Sequence, residues 1–145
     1  MAPRNWGKNV TLLCSLSAEG MGPSVAVEGA TTRVVFETYL EEALCPSLSA
    51  GQIVVMDNLS AHKGGRVKEL IEERGCELLY LPPYSPDLNP IEQAFSKMKA
   101  LMRKSGARSR EALIEAMGDA LSAISAGDAS GFFGHCGYWT LAQLP

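Results

Sequence analysis

The stretch from Gln52 to Leu81 limits the possible folds more than any other part of the chain. Gln52 to Met56 is a β-branched run bounded by Gly51 on one side and Asp57-Asn58 on the other, which reads as a buried strand. A helix is predicted from about Lys63 to Arg74, with Val67, Leu70 and Ile71 on one face and Gly75 in the position of a C-terminal cap. Cys76 to Leu81 then reads as a second strand. Strand, helix and strand with short links form a βαβ unit, so the two strands should be parallel and joined by a right-handed crossover. Open α/β sheets of this kind bind ligands at the carboxyl ends of their strands.

The rest of the chain organises around that unit. Val10 to Ser17 and Ser24 to Glu28 read as an antiparallel pair joined by Glu19-Gly20-Met21-Gly22-Pro23, whose glycines and proline suit a turn. Thr31 or Thr32 can cap a helix carrying Phe36, Leu40 and Leu44, and Pro46 closes it. After the second parallel strand, the proline-rich run from Pro82 to Pro90 can be neither helix nor central strand. Asn89-Pro90-Ile91-Glu92 then starts a helix with Asn at the cap, Pro first and Glu third. Its apolar stripe is Ile91, Phe95, Met98 and Met102, with Ala94 and Leu101 beside it, while Glu92, Ser96, Lys99 and Arg103 fall on a different face. A last long helix from Ser109 to about Ile124 is expected to bury Leu113, Ile114, Met117, Leu121 and Ile124. The glycine-spaced tail, with Gly127, Gly131, Gly134 and Gly137, reads as weak helix or loop.

At 145 residues and 46% hydrophobic, the chain has enough material for one core, and a single domain over residues 1–145 is expected. Its apolar runs are a few residues long, against about 20 for a membrane helix, so no membrane partner is expected. Arg4 and Lys8 precede the apolar stretch Val10 to Leu16 as in a signal peptide, but Thr11 and Ser15 interrupt it and it alternates like a strand. Cys14, Cys45, Cys76 and Cys136 are widely spaced with no CxxC pair, which points to reduced, buried thiols in a cytoplasmic protein. The net charge of −3 argues against bulk attraction to nucleic acid, yet its distribution is uneven. Gln93 to Arg110 holds six cations and no acid, leaving seven cations against sixteen acids elsewhere. Such a local basic stretch is the footprint of a phosphate contact, or else a solvated helix face.

Two carboxylates carry the chemical interest. Asp57 ends the first parallel strand, and Glu92 sits in the first turn of the helix after the second. Carboxylates brought together repel one another unless a cation lies between them, and a hard divalent ion with oxygen ligands is the natural one. Phosphodiester chemistry uses such groups to hold two metals about 3.5–4 Å apart. Each residue also has a plainer reading: Asp57-Asn58 as a turn, and Glu92 as a capping-box glutamate reaching back to the Asn89 amide.

The conjunction of two longer motifs adds weight to the chemical reading. The stretches VVMDNLSAHK and LPPYSPDLNPIEQAFSKMK, in this order and separation, closely resemble the DDE-superfamily endonuclease domain of mariner-like bacterial insertion-sequence transposases. The resemblance runs from roughly Asn9 to Tyr138. In that family an Asp follows a strand and a Glu lies in the PPYSP-x-x-NPIE setting with 34 residues between; the same number separates Asp57 from Glu92 here. The resemblance implies an α/β, ribonuclease-H-like fold, three antiparallel strands and then two parallel ones, in a mixed sheet with helices on both faces. It makes Asp57 and Glu92 the second and third metal-binding carboxylates, with Mg2+ or Mn2+ as cofactor. DNA, both transposon ends and target, is the implied partner; His62 and Lys63 recur in the family motif, and Lys99 and Arg103 are expected to meet DNA from the helix face that holds Glu92. The expected location is cytoplasmic, at the nucleoid when acting on DNA.

The family's first Asp lies on its first, central strand. Met1 to Lys8, ahead of the hairpin, contain no acid, so the sheet is expected to lack that strand and the metal site to be incomplete. Either Val10–Ser17 would then pair directly with Gln52–Met56, or the chain would remain marginally stable and aggregation-prone. An upstream transposase segment, a second reading frame or a homo-oligomer would supply the missing parts, including a DNA-binding region. The alternatives are an inert remnant, a DNA- or protein-binding partner of a full-length transposase, and a ribonuclease-H-like nuclease without strand transfer. Asp87 reads as a turn residue, Tyr84 as a packing residue or a base-stacking one, and His135-Cys136 as no site.

Overall fold

The computed structural model describes residues 2–5, 10–57, 64–83 and 85–138. It forms two compact units, residues 1–15 with 22–89 and residues 16–21 with 90–145.

The first unit contains two sheets. Strands β1 (Ala2–Asn5), β2 (Val10–Cys14) and β5 (Val25–Glu28) form an antiparallel sheet in the order β1-β2-β5. The β2–β5 register pairs Val10 with Glu28 and Leu13 with Val25, so the predicted antiparallel pair is present, but it stops at Cys14: Leu16–Ser17, expected in the same strand, pair instead with Gly20–Met21, expected as turn. One expectation is corrected here. Ala2–Asn5, left outside the sheet by the sequence reading, pairs along β2 from Ala2 opposite Cys14 to Asn5 opposite Thr11. It occupies the edge of β2 where Gln52–Met56 was expected to pair, so the two partners of β2 are β1 and β5. The reason is that β2 is buried at all five positions and a backbone so placed must find hydrogen-bond partners on both edges.

Helix α1 (Arg33–Tyr39) starts where Thr32 Oγ1 accepts the Val35 N–H at 3.3 Å. It continues through a π-helical turn at Leu40–Leu44 and a 3-10 turn at Cys45–Ser47, which contains Pro46. The βαβ unit follows as predicted: β6 (Ile53–Met56), α2 (Gly65–Glu73) and β7 (Glu77–Tyr80), with the strands parallel and Met56 opposite Tyr80. Gly75 ends α2 at φ +74°, a left-handed conformation that side chains with a Cβ resist. Its carbonyl accepts the Gly51 N–H at 2.8 Å, and Gln52 O then accepts the Glu77 N–H at 3.0 Å, which sets the β6–β7 register from its first rung. Leu13, Phe36, Leu40, Val54, Met56, Val67 and Ile71 form one buried cluster tying β2, α1, β6 and α2 together.

The second unit is helical apart from the short hairpin β3 (Leu16–Ser17) and β4 (Gly20–Met21). Helix α3 (Pro90–Ser105) packs against α4 (Arg110–Ser122) and α5 (Ala126–His135), and β4 contacts α5. The predicted stripe of α3 is buried at Ile91, Phe95, Met98 and Met102, with Ala94. On α4 the expected face is only partly right. Met117 and Ile124 are buried, but so are Ala116 and Ala120, while Leu113 and Leu121 are half-buried and Ile114 is 43% exposed. Small side chains allow close approach between helices, so the alanine side of α4 turns inward. The tail is also corrected: Ser125 and Asp128 form a capping box that starts α5, whose helical state offsets the cost of its glycines through buried Ala129 and contacts with α3.

Candidate metal and nucleic-acid site

Asp57 directly follows β6. The strand is fixed immediately before that position, since Met56 is fully buried and its carbonyl accepts the Leu81 N–H at 2.8 Å. The Asp57 residue is half-exposed and its Oδ1 is buried.

Glu92 is the third residue of α3 and half-exposed. Pro90, with its fixed φ and no N–H to satisfy, suits the first helical position. Asn89 is 3% exposed, with its Nδ2 buried and without a hydrogen-bond partner. One turn on, Ser96 Oγ donates to the Glu92 carbonyl at 3.1 Å. Asp57 belongs to the first unit and Glu92 to the second.

The donor chemistry of the pair fits a hard divalent cation, which takes oxygen ligands. Among the described residues there is no group of three or more His, Cys, Asp or Glu side chains able to hold a metal. Strand β1, where the resemblance would place a first carboxylate, reads Ala2-Pro3-Arg4-Asn5.

The basic stretch divides by structure. Lys99 and Arg103 are exposed on the Glu92 side of α3, as the helical period requires, and Lys104, Arg108 and Arg110 are exposed beyond them. Lys97 is different: its Nζ donates to Asp128 Oδ2 at 2.6 Å, joining α3 to α5. That bond, together with the Ser125 backbone N–H, pulls the Asp128 carboxyl down to about 2. Lys97 is one of the six cations of the basic stretch but not among the residues expected at DNA, and Asp128 was passed over; the Ser125-x-x-Asp128 capping pattern was the available signal. His62 and Lys63 lie outside the described residues, as does Tyr84. Asp87 is exposed in a 3-10 turn, in keeping with a turn role. His135 is exposed at the end of α5, and Cys136 is buried, accepting from Gln93 Nε2 at 3.6 Å. An open groove of about 360 Å³ between α3 and α4, walled by Leu101, Ala112, Ala116 and Ala120, contains none of the candidate residues. Among the described residues no helix is long and apolar enough to cross a membrane.

Comparison with known proteins gives this arrangement a family. Residues 1–114 match the DDE superfamily endonuclease family. The chain is 31% identical over 120 residues to the Tcb1 transposable-element transposase of Caenorhabditis briggsae, covering 78% of this chain and 44% of that protein. It is 25% identical over 125 residues to the Tc1 transposase of Caenorhabditis elegans, covering 83% and 46% respectively. The chain thus spans less than half the length of these relatives. The fold resembles the Mos1 transposase catalytic domain solved with Mn, with a TM-score of 0.74 at 17% identity, covering 93% of this chain and 74% of that one. The corresponding structure with Mg gives 0.75 at 16% identity. The fold is therefore ribonuclease-H-like and of mixed α/β class, and the chain belongs to the DDE superfamily endonuclease family.

Proposed function

We propose that this chain supplies the second and third carboxylates of a DNA transposase active site, Asp57 and Glu92, within one catalytic domain over residues 1–145. The observation that carries the reading is the parallel β6–β7 pair. Asp57 leaves the end of the first strand, and the next strand leads through a proline-rich turn into the helix whose first turn holds Glu92. Family membership supports it, as do relatives named transposases.

The proposed reaction is attack of water or a DNA 3′-hydroxyl on a phosphodiester at a transposon end, expelling the 3′ oxygen. Bound divalent cations would activate the attacking oxygen and stabilise the leaving one. The Mos1 catalytic domain solved with Mg and with Mn supports that ion class here. Asp57 contributes from a rigid strand end, so its carboxylate has little freedom to lose on binding. Glu92 contributes from a helix start. Lys99 and Arg103 would hold the DNA backbone from the same side of α3, and His62 and Lys63 are assigned to DNA from the motif alone. We place the protein where the DNA is, in the cytoplasm and at the nucleoid of a bacterial host.

The acid-free β1 favours a further element of the reading. The first carboxylate is supplied from outside these 145 residues, by an upstream segment or a second polypeptide. Titration of the purified chain with Mn2+ tests the site: thermal stabilisation that Asp57→Asn and Glu92→Gln each abolish is expected, and stabilisation indifferent to both overturns the assignment. Incubation with transposon-end DNA tests the completeness. The chain alone should bind and not cleave, and adding the upstream polypeptide should restore cleavage. Cleavage by the chain alone would refute the account of the missing first carboxylate.

A further inference from the structure

Helix α3 is held from α5 at two points, both close to Glu92. Gln93, the residue after Glu92, donates from Nε2 to Cys136 Sγ at 3.6 Å. Lys97, one turn on, donates from Nζ to Asp128 Oδ2 at 2.6 Å. Gln93 and Lys97 are four residues apart and share one side of α3. Their partners run in the opposite order along α5, so the two helices are clasped antiparallel. Asp128 is set up for this contact by its own helix. The same Oδ2 accepts the Ser125 N–H at 3.0 Å, and Ser125 Oγ accepts the Asp128 N–H at 3.0 Å. The capping box that starts α5 therefore also aims the carboxylate that receives Lys97. Ala129 beside it is fully buried. All of α5 lies beyond residue 114, where the family match ends.

We propose that α5 is a positioning element for Glu92: through Lys97–Asp128 and Gln93–Cys136 it fixes the rotation of α3 about its axis, and with it the point at which the Glu92 carboxylate meets a divalent cation. The inference rests on Glu92 being a metal ligand. Adjacent residues on a helix differ by about 100°, so the clasp grips α3 on a flank and leaves the Glu92 side open to ligand. With side chains a helix has a radius of about 5–6 Å, so a rotation of about 10° displaces the carboxylate by about 1 Å. Metal–ligand distances tolerate only about ±0.2 Å. Unfastening α5 should therefore weaken metal binding before it unfolds the helix.

The test is Mn2+ affinity of the full chain, read from the spin-resonance signal of free Mn2+ well below the melting temperature, with helix content followed by circular dichroism. Lys97→Met should weaken Mn2+ binding about tenfold, the lower end of the effect of partners outside the ligand shell. Asp128→Asn should do the same, since Asn keeps an oxygen for the Ser125 cap and loses only the charge that Lys97 needs. Lys97→Arg retains the ion pair and should stay within about twofold of wild type. A merely structural role predicts lower melting temperatures with Mn2+ affinity unmoved. Equal affinity in wild type, Lys97→Met and Asp128→Asn, with Glu92→Gln weakened, would overturn the role of α5 and leave Glu92 as a ligand. Glu92→Gln binding like wild type would overturn the ligand assignment, and this inference with it. If Lys97→Met and Asp128→Asn lose helix content, Gln93→Leu carries the test: it leaves the ion pair intact and should still weaken binding about threefold, and an unchanged affinity overturns the proposal.

Discussion

Replacing Lys99 and Arg103 together by methionine should flatten the salt dependence of DNA binding without moving the metal site. The two residues are exposed and four apart on α3, a separation of about 6 Å along the axis at the helical rise. Phosphates advance about 3.4 Å per step along one DNA strand, so the pair can reach two of them. Each neutralised phosphate contributes about 0.9 to the slope of log K against log salt, so the double variant should lose about 1.8. Between 50 and 200 mM salt that amounts to an affinity that falls about twelvefold less steeply than wild type. Lys97 provides an internal control. It lies in the same basic stretch, but its charge is committed to Asp128, so Lys97→Met should leave the slope unchanged. Fluorescence anisotropy with a short duplex, in metal-free buffer across that salt range, is the measurement. A double variant with the wild-type slope returns this face of α3 to ordinary solvation, and a Lys97→Met slope reduced as much as that of Lys99→Met removes the structural basis of the argument.

Three further outcomes follow from the packing. Gly75→Ala should destabilise the chain by about 1–2 kcal/mol, because Gly75 sits at φ +74° and an added Cβ would lie 3.1 Å from the Ala50 Cβ; Gly75→Asn should cost less, and urea denaturation distinguishes them. Met117→Ala should cost about 2–5 kcal/mol, whereas Ile114→Ala, at a side chain 43% exposed, should cost under about 1 kcal/mol; equal effects would contradict the observed orientation of α4. The Asp128 carboxyl is held down to about 2 from 3.8 in the folded chain, so its contribution to stability is complete above about pH 4 and lost as pH falls from there through 2. Denaturation of wild type and Asp128→Asn should give a constant difference from pH 5 to 8 that shrinks between pH 4 and 2, and a difference that grows on acidification would reverse the sign of the argument.

Much of what positions the candidate residues was legible in local sequence. The β6–α2–β7 unit follows from a β-branched run, an amphipathic helix and Gly75, all signals that act within a few residues. Helix α3 was readable to its first residue, because proline and the apolar stripe at Ile91, Phe95, Met98 and Met102 leave one way to orient it. Asp57 and Glu92 stood out as carboxylates at a strand end and a helix start, and their place in a family came from the two motifs around them. The helical period separates Lys97 from Lys99, about 200° apart on α3, but the sequence alone could not show that the Lys97 partner is Asp128.

What the sequence by itself determined, then, is the order and type of the elements from β6 to α3, where each local pattern agrees with the structure. The tertiary structure decided the rest. It chose which face of α4 is buried, since apolar size favours Leu113 and Ile114 whereas close approach to α3 favours Ala116 and Ala120. It made a helix of the glycine-spaced segment Ala126–His135, whose intrinsic cost is offset by a capping box and by an ion pair reaching 31 residues back to Lys97. It paired Ala2–Asn5 with β2, because an edge of a buried strand must be satisfied by whatever chain can reach it. In each case the deciding partner is distant in sequence, and a local pattern carries no information about which partner will arrive.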